Sequence, residues 1–313
     1  MAELSDVPEA STHQGMHTLL EAAPVPLDAL AICGAASGFA PGRTLPLRVE
    51  LRRQLTRRRT QVVFGLLLVL PLVLMAAFKF GSAAPSSNRG TIDLVDLATV
   101  GAPNFVLFTL YAASGFALVV IVALFAGDTV ASEASWSSLR YLLAAPVPRS
   151  RLLRQKLIVA LGLSAAALVL LPLVALAAGW IGFGWAPARS PLGTSFPTGA
   201  ALTHLAIVVG YMAVSLLFVA AFGFAMSTYT DAPLGAVGGT VMVVIVSDIL
   251  DTVTALGGVR AFLPTHYSYA WLDALSPTIS WDAMGKGVLS SLIYSLVGFA
   301  LAWRKFERKD ITS

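Results

Sequence analysis

The sequence contains little cysteine and little charge. Its 313 residues include one cysteine, Cys33, which excludes an internal disulfide and every zinc or iron–sulfur site built from several cysteines. Charged residues make up 12% of the chain and hydrophobic residues 57%, whereas a soluble protein carries about 25% charged residues. The composition therefore predicts a protein whose solvent is lipid.

A nucleotide-binding loop is also missing. The nearest approach to G-x-x-x-x-G-K-[ST] is Gly285-Lys286, but Gly287 follows in place of Ser or Thr, and Ser280 stands where the first glycine belongs. We expect no cofactor, no metal site and no catalytic residue in this chain. If ATP powers the protein, another chain binds the ATP.

The apolar segments hold almost no ionisable residues in their interiors. Lys79 and Asp248 fall at the ends of predicted helices. Ion-coupled transporters place charged groups at membrane mid-depth, where their cost is accepted for function. The pattern therefore argues against ion-coupled transport and favours a path whose energy arrives from outside the membrane.

Six segments are long and apolar enough to cross a bilayer as helices. They are residues 62–78, 105–126, 157–180, 205–226, 233–250 and 287–303. Pro71 and Pro172 are expected to kink their helices rather than end them. The run Asp231-Ala-Pro233 predicts a helix cap followed by a helix-starting proline, and hence a very short turn between the fourth and fifth spans.

The predicted organisation is an all-α integral membrane protein in four parts. Residues 1–42 form a disordered cytoplasmic tail, 43–61 an arginine-rich amphipathic interfacial helix, 62–306 the six-helix transmembrane domain and 307–313 a second cytoplasmic tail. Most of the 21 basic residues lie before the first span, in the loop 127–156 and after the last span. This asymmetry predicts a multi-pass protein of the cell membrane with both termini cytoplasmic.

The net charge of +4 does not indicate a nucleic-acid partner, because the basic residues cluster beside the spans and act as topology signals. The segment 252–284 is too long for a tight turn and too apolar to be solvated. We expect it to dip back into the membrane as a re-entrant cap, with its non-helical backbone covered by protein.

The loop after the second span carries the strongest functional signal. Its first part is compatible with a short surface helix, Pro146 and Pro148 force a break, and Arg149 to Lys156 resume a helix that leads into the third span. A rigid surface helix with an acid and a bulky aromatic, Glu133 and Trp136, is a suitable lever for a soluble partner.

The loop resembles the first cytoplasmic loop of type-2 ABC exporter permeases. The matching residues are Glu133, Leu139, Arg140, Leu142, Leu143, Pro146, Arg149 and Lys156. The chain departs from the family at Ser137-Ser138, where Gly-Thr is usual, which leaves the turn at that point open. The preceding arginine-rich segment, the six spans and the short turn between the fourth and fifth spans extend the resemblance over about residues 45–306.

The resemblance implies a permease subunit that pairs with a second permease subunit, identical or paralogous, and with two cytoplasmic ATP-binding cassette subunits that hold ATP and Mg²⁺. It implies a coupling helix that contacts the ATPase and an elbow helix beside it, with membrane lipid around both. The coupling residues would be Glu133, Trp136, Ser137, Ser138, Leu139, Arg140, Pro146 and Arg149. The elbow residues would be Arg52, Arg53 and Arg57.

Two other functions stay open on the residues alone. A membrane-embedded enzyme would use the constellation Asp248, Asp251, His266 and Asp273 on the outer side, although these residues are also consistent with helix ends and a packed loop. A membrane scaffold or accessory subunit is the other alternative. The transported substrate is not indicated by the sequence.

Overall fold

The computed structural model describes residues 46–81, 94–135, 149–189, 195–276 and 278–308. The predicted N-terminal tail and the proline-containing part of the loop, residues 136–148, lie outside the described residues.

The described chain is mostly helical. The α-helices are α1 Leu47–Leu55, α2 Arg58–Phe80, α3 Leu94–Leu97, α4 Ala102–Ser114, α5 Ala117–Ser135, α6 Arg149–Phe183, α7 Thr198–Ser215, α8 Leu217–Tyr229, α9 Pro233–Thr252 and α10 Trp281–Glu307. Two-residue strands, β1 Ala188–Arg189 and β2 Ser195–Phe196, pair antiparallel. Two 3-10 helices, Thr254–Phe262 and Ala270–Leu275, lie between α9 and α10.

Six helical segments are long and apolar enough to span a membrane, which confirms the predicted all-α, multi-pass architecture. They are Arg58–Phe80, Ala117–Ser135, Ser150–Phe183, Gly199–Tyr229, Pro233–Thr252 and Trp281–Glu307. Pro71 and Pro172 lie inside α2 and α6 and end neither helix. Pro233 begins α9 as predicted, but its N-cap is Ala232 rather than Asp231, and Thr230 Oγ1 accepts the Ala232 N–H.

The amphipathic segment is shorter than predicted. The sequence predicts one helix over 43–61, whereas α1 ends at Leu55 and α2 begins at Arg58. The hydroxyl of Thr56 donates to the carbonyls of Arg52 and Arg53, which occupies acceptors at the end of α1. The chain therefore turns between α1 and α2, and the two helices are separate elements.

The predicted boundary between the second span and its loop is also wrong. Residues 127–135 were expected to begin a separate surface helix, but α5 continues unbroken to Ser135. The apolar periodicity of Val130 and Ala134 belongs to α5, where Val130 is fully buried. On the far side of the loop, α6 begins at Arg149, as the residues after Pro148 predict.

The second and fourth spans are each interrupted. Gly115 and Phe116 separate α4 from α5, and Leu216 separates α7 from α8. A Cβ at Gly115 would lie 2.8 Å from the hydroxyl of Tyr269, so a larger residue here would displace the end of that side chain. Unbroken apolar runs cover both positions in the sequence, which is why neither break was predicted.

The two ends of the bundle are distinct. At one end α1, the end of α5, the start of α6 and the end of α10 come together, and Leu152, Leu153 and Phe306 share one apolar cluster there. Both ends of the described chain therefore lie at this end. The opposite end is closed by the cap segment, residues 254–276, whose Trp271 is fully buried.

The cap segment is packed against the bundle over part of its length, and its re-entry into the membrane stays a prediction. Tyr267, Trp271 and Leu275 pack inward or onto α7, and the hydroxyl of Tyr211 donates to the carbonyl of Tyr267 over 2.6 Å. Its first 3-10 helix, in contrast, has no buried residue, and Phe262 is 76% exposed. The second half of the segment is packed into the bundle, and the first half is not.

Candidate functional site

A cluster of charged side chains is buried where α1, α5 and α6 meet. Glu50 of α1, Glu133 of α5 and Lys156 of α6 are each 1% exposed. Glu133 and Lys156 lie on the two sides of the loop 136–148. The cluster, named here the ion cluster, therefore joins α1 to both sides of this loop.

Lys156 lies at the centre of the ion cluster. Its Nζ lies 2.6 Å from Glu133 Oε1 and 3.3 Å from Glu50 Oε1. Arg53 adds a second cation, with one guanidinium nitrogen 2.8 Å from Glu133 Oε1 and another 3.7 Å from Glu50 Oε2. Gln54 donates to Glu50 Oε1 over 3.1 Å. Each carboxylate is thus shared between two cations.

A second group of charges continues the ion cluster toward the start of α2. Arg57 lies 2.8 Å from Asp128 Oδ2 and donates to Ser132 Oγ over 3.2 Å, and Arg59 contacts the other oxygen of Asp128. Asp128 and Ser132 occupy one face of α5, a turn apart, so the turn between α1 and α2 is held against that face. The whole ion cluster combines Glu50, Glu133 and Asp128 with Arg53, Arg57, Arg59 and Lys156.

Burial makes these ion pairs important for the stability of the fold. Removing a charge from water costs several kcal/mol, and a buried pair compensates for that cost only with good geometry and further hydrogen bonds. Burial alone would raise the pKa of the Glu50 carboxyl, but Lys156, Gln54 and Arg53 together lower its pKa below the usual range. The cluster is therefore a charged network whose members depend on one another.

The two faces of α1 explain how the helix reaches the cluster. Glu50 and Gln54, four residues apart, share the buried face. The apolar residues are exposed instead: Leu47, Val49, Leu51 and Leu55 are each at least 40% exposed. An amphipathic helix that turns its polar face into the protein and its apolar face outward is suited to the surface of a membrane.

Some of the predicted site residues belong to the ion cluster, others lie elsewhere, and the rest lie outside the described residues. Arg53 and Arg57 join the ion cluster, whereas Arg52 is exposed. Arg149 begins α6. Trp136, Ser137, Ser138, Leu139, Arg140 and Pro146 lie outside the described residues.

Glu133 is not placed as a surface contact. The sequence groups it with residues that would touch an ATPase, but its carboxylate is buried between Lys156 and Arg53. A buried acid paired on both sides acts on a partner only through the elements it holds. Its carboxylate connects the end of α5 to Arg53 of α1 and Lys156 of α6.

Four members of the ion cluster were missed as site residues. Glu50 is the one acid in the arginine-rich segment 43–61, and Asp128 follows directly on an apolar run. An isolated acid in either setting signals a buried partner, since an unpaired charge would be costly there. Lys156 and Arg59 gave no comparable signal, because basic residues are common beside spans.

The constellation considered for an enzyme is only partly assembled. Asp251 Oδ1 and His266 Nδ1 lie 2.5 Å apart, each side chain being less than a third exposed. Asp248 instead lines a separate small cavity. No group of three His, Cys, Asp or Glu side chains able to hold a metal ion occurs within the described ranges.

Two comparisons with known proteins bear on this chain. A family model described as "Protein of unknown function (DUF2705)" matches residues 101–312, a range that contains Asp128, Glu133 and Lys156. No curated protein matches the chain.

Proposed function

We propose that this chain, which belongs to the DUF2705 family, is the membrane-spanning permease subunit of an ATP-driven exporter. It forms the translocation path, and separate ATP-binding cassette subunits bind ATP and Mg²⁺. A second permease subunit, identical or paralogous, completes the path, and membrane lipid surrounds the apolar faces.

The ion cluster is the observation that carries the proposal. An exporter without its own ATPase needs a rigid connection between the surface that the ATPase contacts and the helices that move. Glu133 and Lys156 tie the two sides of the loop 136–148 to each other, and Arg53 and Glu50 tie both to α1. A force applied to the loop is therefore delivered to α1, α5 and α6 together.

The helices that receive this force are connected to the rest of the bundle. Gly127 of α5 approaches α9 so closely that an added Cβ would lie 3.2 Å from a methyl of Val237. At Gly223 of α8 an added Cβ would lie 3.3 Å from the carbonyl oxygen of Ala123. A displacement of α5 thus passes directly to α8 and α9, since close-packed interiors transmit strain.

The proposed orientation places the ion cluster at the cytoplasmic end of the bundle. This end carries α1, the start of α6 and the end of α10, whose segments hold most of the basic residues. The positive-inside rule assigns such an end to the cytoplasm. Both termini and the loop 136–148 would then face the compartment that contains ATP.

Copurification tests the proposal. The chain, tagged and purified in detergent from the membranes of its source cells, is expected to retain an ATP-binding cassette protein. Leu139→Asp with Arg140→Ala in the loop should abolish retention, whereas Lys286→Gln at the opposite end should leave it intact. Retention unaffected by the loop substitutions would contradict the proposed contact.

A measurement of helix movement then distinguishes binding of the ATPase from transmission of its force. In vesicles that hold the complex, Lys156→Gln is expected to leave ATPase retention intact and to uncouple ATP hydrolysis from movement of α1. The movement is followed by the distance between spin labels on α1 and α9 with and without ATP. A label distance that changes as in the unmodified chain would remove the ion cluster from the mechanism.

The contact between Asp251 and His266 is the observation that favours the enzyme alternative, because a carboxylate commonly orients a catalytic histidine. The purified chain, free of any ATPase, is the test of this alternative. Turnover of a lipid substrate that is lost in both Asp251→Asn and His266→Gln would favour the enzyme and overturn the permease.

A further inference from the structure

An apolar groove lies between α5, α6, α7 and α8, within helical segments apolar enough to span a membrane. Its volume is about 250 Å³, and its lining includes Val122, Leu161, Leu168, Ala213, Leu217 and Ala220. Ser164 also lines it, but the Ser164 hydroxyl donates to the carbonyl of Ala160 in its own helix. Ala213 at the rim is exposed, so the groove opens on the surface of the bundle. The groove offers a hydrocarbon chain a wholly apolar wall.

A second, smaller cavity is lined by residues of the bundle and of the cap segment, and it combines apolar side chains with one carboxylate. Asp248 lines it together with hydroxyl-bearing residues, and its volume is about 30 Å³. These residues are Ser114, Ser215, Ser268 and Tyr269. None of the lining residues within the described ranges is a Lys, Arg or His.

Asp248 is half-buried, and within the part of the chain that the structure describes no Lys, Arg or His lines its cavity. The hydroxyl of Thr265 donates to its carboxylate, and the nearest charge acting on it is that of Asp251, another carboxylate. A carboxylate removed from water in this way attracts a cation, because the surroundings supply no compensating charge. The lining rings of Phe218 and Tyr269 offer further attraction to a positive headgroup.

Leu216 lines both cavities. It is also the residue at which the fourth span breaks into α7 and α8. The apolar groove and the acidic cavity therefore both border on Leu216, at a helix break. Leucine at such a position moves aside by a rotamer change and without disturbing a continuous helix.

We propose that the groove and the Asp248 cavity form one site for a single-chain amphiphile with a primary ammonium headgroup. The hydrocarbon tail lies in the groove, Leu216 turns aside, and the ammonium reaches the Asp248 carboxylate. The ligand enters sideways from the lipid. The assignment of this ligand as the exported cargo rests on the proposed function, whereas the binding site itself does not.

Binding to the purified chain in nanodiscs of zwitterionic lipid tests the proposal. The probes are dodecylamine and dodecanol, which have the same tail and differ in headgroup charge, each measured by displacement of a fluorescent dodecylamine derivative. A hydrogen bond to a charged group predicts that the amine binds about tenfold more tightly than the alcohol. Equal affinities for the two probes would overturn the proposal.

Three variants locate the site. Asp248→Asn should abolish the preference for the amine while leaving the alcohol bound, and Asp248→Glu should keep the preference. Ala213→Phe fills the groove and should weaken both probes. Asp251→Asn is the matched control, because Asp251 is the nearby carboxylate that pairs with His266 and does not line the cavity.

Two results would exclude this location. Preference unchanged in Asp248→Asn, or lost equally in Asp251→Asn, would place the amine elsewhere. If Asp248→Asn fails to fold, the unmodified chain is crosslinked with a photoreactive dodecylamine instead. Crosslinks to α5–α8 near Leu216 support the site. Crosslinks confined to other helices overturn it. No ATPase is present in these assays, so their failure leaves the exporter proposal standing, and a failed copurification leaves the site standing.

Discussion

The two ends of the bundle are held together by different forces. At the ion-cluster end, four cations and three carboxylates join α1, α5 and α6. At the cap end, neutral hydrogen bonds predominate: Tyr211 donates to the Tyr267 carbonyl, Tyr294 to the Phe262 carbonyl, and the Ser247 and Thr265 hydroxyls bond each other. Its charged contacts, Asp251 with His266 and Asp282 with Lys286, are partly or largely exposed.

This difference in contacts predicts that the two ends of the bundle differ in how readily they rearrange. Buried charges that lose a partner are strongly destabilised, so elements joined by them move together or not at all. Neutral hydrogen bonds contribute about 0.5–1.5 kcal/mol each and are exchanged more readily. We expect the ion-cluster end to transmit force as a unit and the cap end to rearrange, and the following variants test that contrast.

Lys156→Met is expected to have the largest effect. It leaves Glu50 and Glu133 buried with Arg53 as their remaining cation, and breaking a buried pair costs about 3–5 kcal/mol in the free energy of unfolding. Reversible unfolding in detergent micelles measures the loss. Lys286→Met, the control, breaks an exposed pair at the cap end and should leave the unfolding transition unchanged.

A second substitution sharpens this result. Adding Glu133→Leu to Lys156→Met removes an uncompensated acid and should restore part of the lost stability, since an apolar pair of similar volume replaces a buried ion pair at little cost. Losses that simply add would show that the two side chains do not interact in the folded protein.

Tyr211→Phe is expected to have the intermediate effect, at the cap end. Removing the hydroxyl leaves the Tyr267 carbonyl without this donor and should cost about 1–3 kcal/mol in the free energy of unfolding. Tyr294→Phe, which removes an exposed hydrogen bond to Phe262, is the matched control and should cost less. A larger loss in Tyr211→Phe than in Lys156→Met would reverse the contrast between the two ends.

Glu50→Gln should have a smaller effect than Lys156→Met, because Lys156 and Arg53 both keep Glu133 as a partner, and it should have the clearest pH dependence. Because the folded protein lowers the pKa of Glu50, its ionisation stabilises the fold fully above the unfolded pKa of about 4.3, and this stabilisation is lost as the pH falls through the folded pKa. The difference in unfolding temperature between the unmodified chain and Glu50→Gln should therefore be largest near neutral pH and shrink in acid. A difference that grows in acid would mean that the lowered pKa is wrong.

The six spans were predictable because burial in lipid requires long apolar helices, and each such run is visible in the sequence. The breaks at Gly115 and Leu216 were not, since both positions lie inside unbroken apolar runs of the sequence. Length and hydropathy report that a segment crosses the membrane, and they do not report where its helix is interrupted.

The sequence predicted some residues of the ion cluster but not how they pair. Arg53, Arg57 and Glu133 were singled out from the arginine-rich segment and from the family resemblance, but the sequence did not indicate that Arg53 pairs with Glu133, because the two lie on separate helices. The burial of Glu133 was missed for the same reason: an acid near the end of a span is as consistent with a surface contact as with an internal ion pair.

The ion pair between Glu50 and Lys156 can form only after both residues have been synthesised. The two residues are 106 positions apart, so at about 5–20 residues per second the ribosome needs roughly 5–20 s to deliver the lysine after the glutamate. Throughout that interval Glu50 has only the neighbouring Arg53 and Gln54 of its own helix as partners. We therefore expect α1 to take its final position only after the start of α6 has been synthesised.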